Sequence, residues 1–160
     1  MLLLIISFLV IAAYTAAVCI KAKGVPYSIS ATYYKLEHDH WFMATMWLTA
    51  GLLMPAVLEV SKPGTEWLAF LACAGMFFIG AAPNFKDIVE GGIHKMGAIL
   101  CLVGSQAWVA CNCPWCLMVW IAYVRNENDS IISDFLYTKP MFWIEVAALT
   151  STYLSLLILA

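Results

Sequence analysis

The chain has 160 residues, 64% of them hydrophobic and 11% charged, with a net charge of -2. A soluble domain carries about 25% charged residues. A fold of this size has no interior large enough to hide so much apolar surface, so its solvent is a bilayer, where each spanning helix needs about 20 apolar residues. The weak negative balance excludes a nucleic-acid partner, which calls for basic faces. The length leaves room for a single domain, residues 1–160.

The first apolar run, about residues 2–20, ends at Lys21 and Lys23 and is broken by Gly24 and Pro26. It has no basic leader, is longer than a signal-peptide core of about 7–15 residues, and carries a bulky Val18 before Cys19. It is expected to be a retained first helix. A polar loop runs to about His40, followed by a second helix over about 41–60, in which Pro55 removes one backbone donor. Lys62-Pro63-Gly64 reads as a tight turn. A third helix over about 66–82 stops before Pro83, and a loop over 84–92 carries Lys86, Asp87 and Glu90. A fourth helix starts near Ile93.

Residues 93–124 hold no charge except Lys95. As one helix they would be about 48 Å long at 1.5 Å per residue, against a hydrocarbon core of about 30 Å. Asn112-Cys113-Pro114 supplies a break, because proline suits the first position of a new helix. The split gives helices over about 93–111 and 114–125, a polar loop over 126–138 and a last helix over 140–159. The reading is therefore an all-α, polytopic transmembrane bundle of six helices, or five if 93–124 is continuous. Charge favours six. Lys21, Lys23, Lys35, Lys86, Lys95, Arg125 and Lys139 then share one face, and Lys62 alone takes the other. The positive-inside rule places the lysine-rich face in the cytoplasm, so the chain is expected to be integral to the plasma (cytoplasmic) membrane with both termini outside.

Parity puts His38, His40 and His94 at one membrane face. With Glu37, Asp39, Asp87, Glu90 and Glu145 they form the main polar constellation. Imidazole with carboxylate suits a divalent metal with an open position for water, or proton transfer near neutral pH. On that reading His38, His40 and His94 are metal ligands, and His94, Glu145 and Asp87 are catalytic. The plainer alternative is interfacial polar packing. Glu145 lies inside a spanning segment, where a carboxylate is costly and tends to be functional, unless it snorkels to the interface. Gln106, mid-helix, is expected to hydrogen-bond between helices.

Cys19, Cys73 and Cys101 sit in apolar runs and read as small hydrophobes. Cys111, Cys113 and Cys116 cluster, and Cys113-Pro114-Trp115-Cys116 is a C-x-x-C opening a helix, where thiolate is favoured. Its spacing resembles the pair that thiol oxidoreductases of the vitamin K epoxide reductase type place beside a quinone-holding bundle. That would make Cys113 and Cys116 cofactor-binding. A structural disulfide or an apolar turn is the other reading.

Pro26-Tyr27-Ser28-Ile29-Ser30-Ala31, Trp41 or Trp47 entering the second helix, and Ile93-His94-Lys95-Met96-Gly97-Ala98 resemble the Frag/DRAM group of six-helix membrane proteins. That group includes GPI-anchor lipid-remodelling factors and autophagy modulators. Its pattern has a P-S-I-S-type stretch after the first helix, into which Tyr27 intrudes here, and a His-x-x-Gly-Ala-like start to the fourth. The resemblance implies six helices and lipid handling and draws attention to Ser28, Ser30 and His94. Three functions follow from the sequence. The first is lipid handling or metal-assisted lipid modification, with membrane lipid as partner. The second is a thiol–disulfide oxidoreductase. The third is a non-enzymatic membrane subunit or scaffold, as a homo-oligomer or with a partner membrane protein.

Overall fold

The computed structural model describes residues 1–35, 40–125 and 139–160. Among them the helices are α1 (Leu2–Lys21), α2 (His40–Val60), α3 (Glu66–Ala81), α4 (Ile88–Asn112), α5 (Met118–Arg125) and α6 (Pro140–Leu159). Two 3-10 turns, Ser30–Lys35 and Pro114–Leu117, stand before α2 and α5. The chain is an all-α membrane bundle. Helices α1, α2, α4 and α6 are long and apolar enough to cross a membrane. Helix α3, at 16 residues, is apolar but shorter.

The polarity of the bundle is that of a protein dissolved in lipid. Phe8, Leu9, Leu48, Phe70, Ile99 and Leu157 are exposed, while Ser7, Thr49, Ser151 and Ser155 are fully buried. Small hydroxyl side chains at helix contacts let backbones approach and supply interhelical hydrogen bonds. Consecutive helices α1 to α4 pack against their neighbours in sequence, and α6 returns between α4 and α1 to close the ring, with α5 on its flank.

Each break has a local cause. At the end of α1, Lys23 takes a left-handed φ of 52° and the Gly24 amide reaches back to the Cys19 carbonyl at 3.0 Å, satisfying carbonyls the helix leaves open. Gly64, with φ 86°, turns α2 into α3. That turn is clasped by the end of α4: Asn112 Oδ1 accepts from the Lys62 amide at 2.7 Å, and the Lys62 ammonium donates to the Cys111 carbonyl at 2.8 Å. A cation on the last carbonyls of α4 also suits the helix dipole.

The stretch 93–124 is not one helix. Cys113 leaves helical geometry, at φ -145° and ψ 70°, and Pro114 begins the 3-10 turn. Two boundaries differ from the sequence reading. Helix α4 begins at Ile88, not Ile93, because Asp87 caps it by accepting from the Val89 and Glu90 amides at 2.8 and 3.0 Å. Gly91 and Gly92 therefore lie inside the helix, where the sequence suggested a loop. The segment after Pro114 starts as a 3-10 turn and becomes α-helical only at Met118.

Candidate functional site

The segment before α2 folds back onto one end of the bundle. Tyr27 gives its carbonyl to the Phe142 amide at 3.1 Å, tying the segment to the start of α6. Ser28 Oγ accepts from the Ala31 amide at 2.9 Å and starts the 3-10 turn. Tyr14 of α1 and Thr32 share a hydroxyl contact at 2.6 Å. Ser28, Ile29 and Thr32 are consequently buried. The first amides of a helical turn have no partner within it. Here they face Glu145: the Ile29 amide donates to Glu145 Oε2, and the amide and hydroxyl of Ser30 are directed at the same carboxylate. Glu145 thus points into the bundle and does not snorkel.

Beside this carboxylate lies an apolar cavity of about 120 Å³. Ile29, Ser30, Met46, Met76, Cys101 and Tyr153 are among its walls, and among the described residues Glu145 supplies the carboxyl on them. A second, more open hollow of about 380 Å³ runs between α1 and α6, lined by Phe8, Thr15, Cys19, Phe142 and Val146. Ile11, Ile29, Leu149 and Tyr153 border both. Tyr153 is fixed there because its hydroxyl meets Ser7 Oγ at 2.6 Å, and Ser7 in turn donates to the Thr49 carbonyl at 2.9 Å. The arrangement sets an apolar cavity, bordered by the more open hollow between α1 and α6, beside a carboxylate held by backbone donors.

Gln106 serves as the interhelical tie. Its Oε1 accepts from Trp120 Nε1 and Ser151 Oγ, both at 2.8 Å, and its Nε2 donates to the Ala148 carbonyl at 3.2 Å. One side chain thereby links α4, α5 and α6.

His94 is buried in the second turn of α4. Its Nδ1 meets the Ala82 carbonyl at 2.9 Å, and its ring lies against Phe42 and Phe85, with centroids 6.5 and 5.2 Å away. These contacts stitch α4 to the end of α3 and to α2. His40 is exposed at the start of α2, and His38 lies outside the described residues. Among the described residues no three of His, Cys, Asp and Glu come together to hold a metal ion. Asp87 is exposed and used as a helix cap, and the Glu90 and Val89 amides hold its carboxyl below the ordinary value. Glu90 accepts from the Asn84 amide at 3.1 Å. The structure therefore engages Asp87, Glu90 and His94 with their own backbone surroundings, and Glu145 with the Ser30 turn.

Cys113 and Cys116 are both buried, with Sγ atoms 3.4 Å apart, while Cys111 is exposed. Burial, and then the adjoining Cys116 thiol, push the Cys113 thiol above its ordinary value. The helix start, invoked from sequence as a thiolate-favouring field, is a 3-10 turn of four residues. Tyr153, Ser7 and Ser105 near the cavity were not singled out from sequence. Their signal was present as hydroxyls inside apolar spans.

No family model matches the chain, and no solved structure does. Among curated proteins it is similar to the inner membrane-spanning protein YciB of Pseudomonas aeruginosa and of Pseudomonas paraeruginosa, at 28% identity over 129 residues. The match takes in 78% of this chain and 59% of those relatives, so the chain spans about three fifths of their length. Together with the apolar helices, this likeness places the chain as an integral protein of the inner, cytoplasmic membrane.

Proposed function

We propose that this chain is a lipid-handling protein of the cytoplasmic membrane that crosses it six times and works at the cavity ending on Glu145. The observation that carries the reading is the juxtaposition itself. An apolar cavity of about 120 Å³ adjoins a lipid-facing hollow between α1 and α6 and terminates on a carboxylate held by Ile29 and Ser30. A lipid chain suits the apolar walls, and a hydroxyl or ammonium head suits Glu145 as acceptor. A carboxylate kept inside a bundle is costly without such use. The Frag/DRAM resemblance points the same way, since two of its residues, Ser28 and Ser30, build the turn beside Glu145.

The test is capture of a photoactivatable lipid by the reconstituted protein, followed by peptide mapping. Labels are expected on α1 and α6 around Ile11, Leu149 and Tyr153. Glu145→Gln should lower capture about tenfold, the loss of about 1.4 kcal/mol of binding. Labels spread evenly over the outer surface, or equal capture by the variant, would sink the reading. A metal-assisted modification step adds the requirement of bound metal, which elemental analysis of the purified protein decides. The second reading is a thiol oxidoreductase, favoured by the 3.4 Å approach of Cys113 and Cys116 and opposed by the burial of both thiols.

A further inference from the structure

The turn between α4 and α5 has no part in the lipid reading. We infer that Cys113 and Cys116 form a redox modification site, a dithiol that peroxides of small size and no charge close to an intramolecular disulfide. The two sulfurs lie 3.4 Å apart, and the Cys116 amide donates to the Cys113 carbonyl at 3.0 Å. In a 3-10 turn, residues i and i+3 stand one above the other, so both thiols leave the backbone on the same side. An S–S bond is about 2.0 Å; closure therefore needs side-chain rotation of about 1.4 Å and no unwinding of the turn.

Burial selects the oxidant. Cys113 is 7% exposed and Cys116 3%. Exchange with a protein disulfide or a charged peptide disulfide requires access of a bulky sulfur to the attacking thiolate, and this pair is covered. Hydrogen peroxide and similar small peroxides are not so restricted. Cys116, with Cys113 keeping its proton beside it, attacks the O–O bond as the thiolate and becomes a sulfenic acid as the first water leaves. The second thiol displaces the sulfenic hydroxyl, and the second water leaves. In sum, two thiols and one hydrogen peroxide become one disulfide and two waters. Cys111, exposed and on the other side of the break, serves as the internal control.

The experiment starts from the 160-residue chain in lipid nanodiscs, reduced and freed of reductant. It is titrated with hydrogen peroxide, alkylated and mapped by peptide mass. The expected product is a peptide in which Cys113 and Cys116 have lost two hydrogens and resist alkylation, while Cys111 is alkylated or singly oxygenated. Treatment with dithiothreitol should restore both thiols. In Cys113→Ser, Cys116 should instead climb to sulfinic acid. Two alkylatable thiols at peroxide levels that have already oxygenated Cys111 would overturn the inference. So would a disulfide joining either residue to Cys111 or to a second copy. The wild-type map decides the matter even if the variant does not fold, and it does so whatever becomes of the lipid reading.

Discussion

Two helix seams in this bundle are built on opposite terms. Between α3 and α4 the backbones touch: a Cβ added at Gly97 would lie 2.8 Å from the Gly75 carbonyl oxygen, and one added at Gly104 would lie 2.8 Å from the Ala72 amide nitrogen. Between α1 and α6 contact is sparse, and a hollow of about 380 Å³ remains, bordered by Phe8, Ala12, Ala16 and Trp143. The bilayer offers no hydrophobic drive for helices to associate, so a tight seam has to come from close backbone packing. The α3–α4 seam has that packing and acts as scaffold. The α1–α6 seam lacks it, and lipid is the solvent that competes for its surface.

The sharpest way to break this contrast is to put a side chain into the tight seam. Gly97→Leu should destabilise by about 3 kcal/mol, since overpacking against backbone leaves no flexible atom to yield. The measurement is thermal unfolding in detergent. A variant as stable as the parent would mean the seam is not closed.

The open seam should respond in reverse. Ala16 is exposed at the hollow, so Ala16→Trp should change stability by less than about 0.5 kcal/mol, as for surface sites. It should nonetheless cut lipid capture several-fold by filling the entrance. Loss of folding with capture unchanged would reverse the assignment of the two seams.

The smallest expected effect sharpens the picture at the scaffold's end, where Asp87 caps α4. Its carboxyl is held below the ordinary value by the Glu90 and Val89 amides. The charged form is therefore the one favoured in the fold. Its contribution is present above the unfolded carboxylate value and is lost as pH falls through the depressed folded value. In an acid titration followed by unfolding temperature, Asp87→Asn should flatten that part of the curve. An Asn cap persists but has no charge to titrate. An unchanged acid limb would assign the effect to other carboxylates.

Much of the frame was legible along the chain, and for a reason. Whether a segment prefers lipid is a sum over its own residues, so the apolar runs, the turn at Gly64 and the break before Pro114 could be read locally. The cap at Asp87 was equally local, yet the Gly91-Gly92 pair disguised it, because weak helix formers survive within a packed helix. The site was less legible. His94 and Glu145 share a membrane depth along the sequence, which does not say which partner each one meets.

What the sequence determined by itself is the solvent of this protein, its helical character and the end of the bundle at which its polar groups lie. Only the tertiary structure decided which groups meet. Glu145 finds the Ile29 amide across 116 positions of chain, and His94 turns to a carbonyl at the end of the preceding helix. Hydropathy is additive and one-dimensional. A hydrogen bond needs a donor and an acceptor within about 3 Å and in line, and the rotation of each helix about its axis, set by packing against all its neighbours, determines which side chains satisfy that.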